Sequence, residues 1–328
     1  MADVARLAGV SHQTVSRVLN GHPHVREQTR LRVQAAIEKL GYRPNRLARA
    51  LVTGRSQLIG VVAQNSTLYG PISLLAAFEQ AAAEVGFVVT AHRVNALDRA
   101  SISWALERHR ERRVAGIVVI APTASVSDAI DTIPPGLPLV MVDGDPERSI
   151  PLVTVDQEAG AHAATRRLLD AGHRQVWHVS GPPDWFDSAG RLRGWRSALE
   201  AAGLSAPPPV PGDWSAASGY RAGRELARMS EVTAIFAAND HLALGILRAM
   251  SEHGKRVPHD VSLVGFDDVP EAAYLTPPLT TVRPDFGAVA REALDLLLAQ
   301  VGTGEVGDWR RTIAPMLVER GSVGPPPG

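Results

Sequence analysis

The chain has 328 residues, enough for two or three domains, and an apolar content of 45% that suits a globular protein with a real core. It has no cysteine, which excludes disulfides, thiolate chemistry and cysteine-bound zinc. Basic and acidic side chains cancel at 34 each, yet residues 1–56 carry ten Lys and Arg against three Asp and Glu, a net charge of +7 that leaves −7 for the remainder. A basic head on an acidic body suggests that only the head meets a polyanion. No run of 18 apolar residues occurs, and no charged-then-apolar leader precedes the first helical pattern. The expectation is a cytoplasmic protein with no membrane partner.

In chain order, the stretch from Asp3 to Asn20 fits two short helices joined by a tight turn. Val4, Leu7 and Ala8 form a small apolar face, Gly9 suits the turn and Ser11 is a good N-cap. In the second helix Val15, Val18 and Leu19 face inward, leaving His12, Gln13, Ser16 and Arg17 outward. Gln pairs with adenine and Arg with guanine through paired hydrogen bonds, so this outward set can discriminate bases. A plain helical bundle with polar surface residues is the alternative, and the charge of the head argues against it. A third helix places Val33, Ala36, Ile37 and Leu40 on one face and stops at Gly41. Residues Asn45 to Thr53 have a helical pattern after Pro44.

Beyond residue 56 apolar runs bounded by turns read as buried strands: Leu58 to Ala63, Phe87 to Ala91, Gly116 to Ala121, Leu139 to Val142, Val176 to Ser180, Ala234 to Ala238 and Val261 to Phe266. Helical patterns lie between them, at Leu74 to Val85, Ala159 to Ala171, Gly194 to Ala202 and Leu242 to His253. This alternation predicts an α/β core of parallel sheets covered on both faces. About 270 residues is long for one sheet, so two lobes are expected, with a ligand beyond the strand ends in the cleft between them. Asp143, Asn239, Asp240, Asp267 and Asp268 follow strand-like runs, and Arg191 and Trp214 sit near turns. Carboxylates, an amide, a guanidinium and an indole are the mixture a sugar needs. Asp240 and Asp268 serve equally well as helix or turn caps, and Trp214 as core. Residues 324–328 read as a frayed tail.

The helix-turn-helix stretch, continued by Gly41-Tyr-Arg-Pro-Asn-Arg-Leu-Ala-Arg-Ala-Leu51, resembles the lactose-repressor (LacI/GalR) family of transcription regulators, and the resemblance runs over nearly the whole chain. The segments Gly212-Asp-Trp-Ser, Ala238-Asn-Asp-His-Leu-Ala-Leu-Gly245, Val264-Gly-Phe-Asp-Asp268 and Pro278-Leu-Thr-Thr-Val-Arg are similar to the family's effector-domain motifs. It implies a helix-turn-helix head (1–44), a hinge helix and linker (45–56) and a periplasmic-binding-protein-like core (57–320) of two doubly wound parallel sheets. The near lobe would span about 57–155 and 286–318, the far lobe about 156–283, with a tail at 321–328. To the outward residues of the second helix it adds Asn20, His24, Thr29, Asn45 and Leu51 as DNA contacts, Leu51 as a minor-groove wedge. Leu68, Pro71, Leu74, Asp143, Arg191, Trp214, Asn239, Asp267 and Phe286 would form the effector site. This chain departs from the pattern of that resemblance at Asp187, which aligns with a cleft serine, at Pro284 and at Val155. The implied partners are double-stranded palindromic operator DNA, a small sugar effector such as a galactoside, and a second copy in a homodimer; no leucine heptad closes the chain to build a tetramer.

Two other classes were weighed. A transport-type sugar-binding protein shares the two-lobed fold but lacks a use for the basic head, and a purine could replace the sugar. Gly302-Thr-Gly304-Glu-Val-Gly307 spells a dinucleotide fingerprint but follows a helical pattern rather than a strand, so it is read as a loop. No metal or cofactor is expected, and His22 and His24 fit phosphate contact or solvent exposure better than metal binding.

Overall fold

A computed structural model describes residues 1–19, 22, 24–41, 56–96, 98–124, 136–303 and 309–327. The chain divides into two units, Met1–Gln57 and Leu58–Gly328. In the first, α1 (Ala2–Ala8), α2 (His12–Leu19) and α3 (Glu27–Lys39) close over Val4, Ala5, Ala8, Val15, Val33 and Ala36. Gly9 ends α1 in the left-handed region at φ 62°, where a side chain would be strained. Ser11 Oγ then accepts from the Thr14 amide at 3.2 Å and starts α2. Two expected core residues lie outside: Leu7 and Leu40 are each 46% exposed, because Ala5 and Ala36 fill the small interior in their place.

The second unit is built on two six-stranded sheets. The first contains β1 (Leu58–Gln64), β2 (Val88–Val94), β3 (Gly116–Ile120), β4 (Leu139–Val142), β5 (Leu152–Val155) and β11 (Arg310–Ile313), ordered β11-β5-β4-β3-β1-β2 and parallel throughout. Period-two alternation is visible along β1. Ile59, Val61 and Ala63 pack under α4 (Tyr69–Glu84) and α10 (Phe286–Thr303), while Val62 packs towards α5 (Arg99–Glu111) on the other face. The second sheet joins β6 (Trp177–Ser180), β7 (Val210–Pro211), β8 (Ala234–Ala237), β9 (Ser262–Phe266), β10 (Thr280–Arg283) and β12 (Met316–Val318), in the order β12-β10-β9-β8-β6-β7. It is covered by α6 (Gln157–Asp170) and α7 (Phe186–Ala201) on one face and α8 (Ala216–Leu226) and α9 (Asp240–Glu252) on the other.

Three boundaries differ from the sequence expectation. Strand β12, assigned to the near lobe, pairs antiparallel with β10 and so belongs to the far sheet, which is therefore not wholly parallel. The expected frayed tail is instead bound along residues 322–324. Ser322 is fully buried, accepts from the Thr280 amide at 2.8 Å and donates to the Leu263 carbonyl at 2.6 Å, and the Gly324 amide donates to Ser262 Oγ at 3.0 Å. Gly302, read as loop, continues α10. The chain passes between the lobes after β5, after β10 and between β11 and β12. Among the described residues no helix is long and apolar enough to cross a membrane.

Candidate functional site

In the head, His12, Gln13 and Arg17 are exposed on α2, opposite the fully buried Val15. Ser16 is half-buried, and His24 and Thr29 follow in the turn before α3 and in its first turn. Asn20, Asn45 and Leu51, and with them the expected hinge helix, lie outside the described residues.

In the second unit the C-terminal ends of strands from both sheets face one cavity enclosing about 560 Å³, its open mouth included. All nine expected effector residues line it. Leu68, Pro71 and Leu74 come from the start of α4, Asp143 from the end of β4, and Phe286 from the start of α10. From the far lobe come Arg191 on α7, Trp214 after β7, Asn239 after β8 and Asp267 after β9. Of the departures noted in the sequence, Asp187 and Pro284 line the cavity, whereas Val155 is buried in the near-lobe core. The sequence reading missed Tyr69, Gly70, Ile120, Pro122, Gln157 and Trp185. Trp185 was the findable one, an indole in the loop after a strand. The loop is held across the cleft by backbone hydrogen bonds from Phe186 to Pro122 (2.9 Å) and from Ala124 to Asp184 (3.1 Å).

Arg191 organises the far wall. It is 4% exposed, and its Nε donates to Gln157 Oε1 at 2.9 Å, one terminal nitrogen to the Ala238 carbonyl and the other to Asp267 Oδ1 at 3.4 Å. Its guanidinium lies 3.7 Å from the centroid of the Phe266 ring, and a carboxylate oxygen of Asp187 stands 4.0 Å away. Asn239 is a helix cap as well as a wall residue. Its Oδ1 accepts from the Leu242 amide at 2.8 Å and its Nδ2 donates to the Trp214 carbonyl at 3.2 Å. Asp240 serves only the frame, accepting from the Val269 amide (2.9 Å) and Thr281 Oγ1 (2.6 Å), and Asp268 pairs with Arg283 and Arg320.

Trp214 is both core and wall. It is 4% exposed, meets Trp185 edge to face at 5.6 Å, and overlies Gly181 so closely that a Cβ there would collide with its ring. Its Nε1 is buried with no acceptor. Asp143, Trp214 and Asp267 adopt φ of 54°, 71° and 107°. They are three of five such non-glycine residues in the described chain, and strain of this kind persists where the surroundings over-determine it. Burial, and then the charge of Asp187, push the Asp143 carboxyl up to about 8. Burial also raises Asp187, and raises Asp267 to about 6 against the pull of Arg191.

Residues 1–45 match the model for bacterial regulatory proteins of the lacI family, and residues 165–323 the periplasmic binding protein-like domain. The chain is 33% identical to the lactose operon repressor of Escherichia coli strain K12 over 320 residues, covering 97% of this chain and 89% of that protein. It is also 33% identical to the ribose operon repressor of the same strain over 327 residues, covering 98% and 99% respectively. The crystal structure of the lac repressor dimer bound to operator and the anti-inducer ONPF superposes with a TM-score of 0.86, at 33% identity and 98% coverage of both chains. The basic head, the paired sheets and the strand-end cavity are thus those of a transcription regulator, and the chain belongs to the lacI family of bacterial regulatory proteins.

Proposed function

We propose that this protein is a repressor whose hold on a palindromic operator is controlled by a small sugar bound in the cavity between its lobes. The observation that carries the reading is the cavity itself, where two indoles, a buried guanidinium, two amides and three carboxylates converge on a space of ligand size. Indole faces accept the C–H surface of a sugar and the polar groups accept or donate to its hydroxyls. Arg and Lys contacts to phosphate supply position, while His12, Gln13 and Arg17 supply base choice. Leu51 takes the minor-groove wedge role. The protein acts as a homodimer in the cytoplasm, at the nucleoid, by binding rather than by catalysis. The sugar transmits its signal only through different affinities for two lobe orientations.

The test starts from an operator selected out of random duplexes. Gln13→Ala should lose roughly 1–3 kcal/mol on that operator and little on scrambled DNA. Sugars titrated into the preformed complex should change its affinity, and Arg191→Ala should abolish that response while keeping operator binding. Equal losses on both DNAs would make Gln13 a phosphate contact. A response to purines alone would overturn the sugar.

A further inference from the structure

We infer that the sugar carries an amino group, held as an ammonium between Asp143 and Asp187. The inference rests on the proposed sugar site and names the ligand's class within it. Three carboxylates, Asp143, Asp187 and Asp267, line the cavity, and Arg191 is the only cationic side chain among the lining residues. Arg191 is already committed by hydrogen bonds to Gln157, the Ala238 carbonyl and Asp267, and it reaches Asp187 only at 4.0 Å. Asp143 is left 8% exposed, with a long side-chain hydrogen bond from Thr154 Oγ1 at 3.3 Å and a backbone one from Val155. A carboxylate can accept about four hydrogen bonds, so part of its capacity is unused.

Buried charge of one sign must be neutralised by a proton or by a cation. Asp143 and Asp187 line the same cavity, and burial with the charge of Asp187 raises the Asp143 carboxyl to about 8. A metal ion is the wrong partner. Among the described residues no three His, Asp or Glu side chains gather closely enough to ligate one. The same wall keeps Trp214 Nε1 buried without an acceptor, a donor that a neighbouring sugar oxygen would satisfy. A neutral sugar would offer hydroxyls to Asp143 and Asp187 while Asp143 keeps its proton. An ammonium takes the place of that proton as the neutralising charge and donates to both carboxylates, releasing the proton of Asp143.

The experiment uses the full chain and three forms of each sugar: D-glucosamine and D-galactosamine, their neutral parents, and their N-acetyl derivatives. Calorimetry should show at least one amine binding tenfold or more tighter than its parent and its N-acetyl form. Comparing buffers of different ionisation enthalpy should show protons released on binding. Asp187→Ser and Asp143→Asn should each lower amine affinity tenfold or more beyond any loss for the neutral parent, so the ratio of amine to parent separates lost charge from lost hydroxyl contacts, and an unchanged ratio overturns the inference. A neutral sugar that binds as tightly as its amine overturns this inference and leaves the sugar site standing. If no member of the panel binds or changes operator affinity, the inference and the sugar reading both fall.

Discussion

Arg191 and Asp240 sit within one wall of the far lobe and illustrate how burial divides residues between function and frame. Arg191 opens onto the cavity. Asp240, 1% exposed, is spent on Val269 and Thr281, and burial with the charge of Asp267 raises its carboxyl to about 8. The sign of the consequence follows from proton counting. The folded state holds a proton that the unfolded chain, near 3.8, releases. Stability from this group is therefore full below that value and is lost as pH rises through about 8. Asp240→Asn removes the titration but keeps an acceptor for the Val269 amide. Denaturant unfolding of the core from about pH 5 to about pH 9 should show a shallower decline up to about pH 8 in the variant, by up to about 1.4 kcal/mol per pH unit, and no difference in slope above it. Parallel curves would locate the loss elsewhere.

At the scale of elements, helix pairs on the far lobe approach through glycine. A Cβ at Gly245 on α9 would collide with the Ala216 carbonyl and the Tyr220 amide of α8, and one at Gly194 on α7 would strike the Glu158 carbonyl of α6. Backbone atoms cannot step aside as a flexible side chain can. Gly245→Ala should therefore cost about 1–3 kcal/mol despite the better helix propensity of alanine. Gly302→Ala, in α10 with nothing within 4 Å among the described residues, should be neutral or stabilising by up to about 1 kcal/mol. Thermal melts of the two variants separate steric closure from propensity, and equal shifts would mean the helices part without cost. The helix-turn-helix head is the simpler case. Gly9 and Ser11 set its turn locally, and Val15 anchors α2 with its polar face outward.

For the whole molecule, the outer surface bears large apolar side chains that no described element covers. Tyr274 is 87% exposed and Leu244 42% on the far lobe, while Ile72, Val85 and Trp104 are 48%, 53% and 54% exposed on the near lobe. Exposed apolar surface of this kind suits the proposed homodimer. Tyr274→Asp should shift sedimentation towards monomer and, because a palindrome needs two heads, weaken operator binding more than tenfold. A stable dimer in the variant would remove Tyr274 from the interface.

Much of this organisation could be read along the chain. Apolar runs bounded by turns located seven strands of the paired sheets, the charge asymmetry separated head from body, and the family resemblance led to nine residues that all line one cavity. Local chemistry suffices for the strands and the head, because a buried strand must be apolar and a turn must have its glycine or its cap. Other features were decided only by packing. Strands β5, β10 and β11 carry Thr or Arg in place of a continuous apolar run, and β12 has three residues and takes its sheet from its partner β10. Leu7 looks like core by spacing and lies outside, since the three-helix interior has room only for its smaller neighbours. The protonation of Asp143 and Asp187 depends on residues 44 positions apart meeting in one dry cavity, and a charge acts through space rather than along the chain.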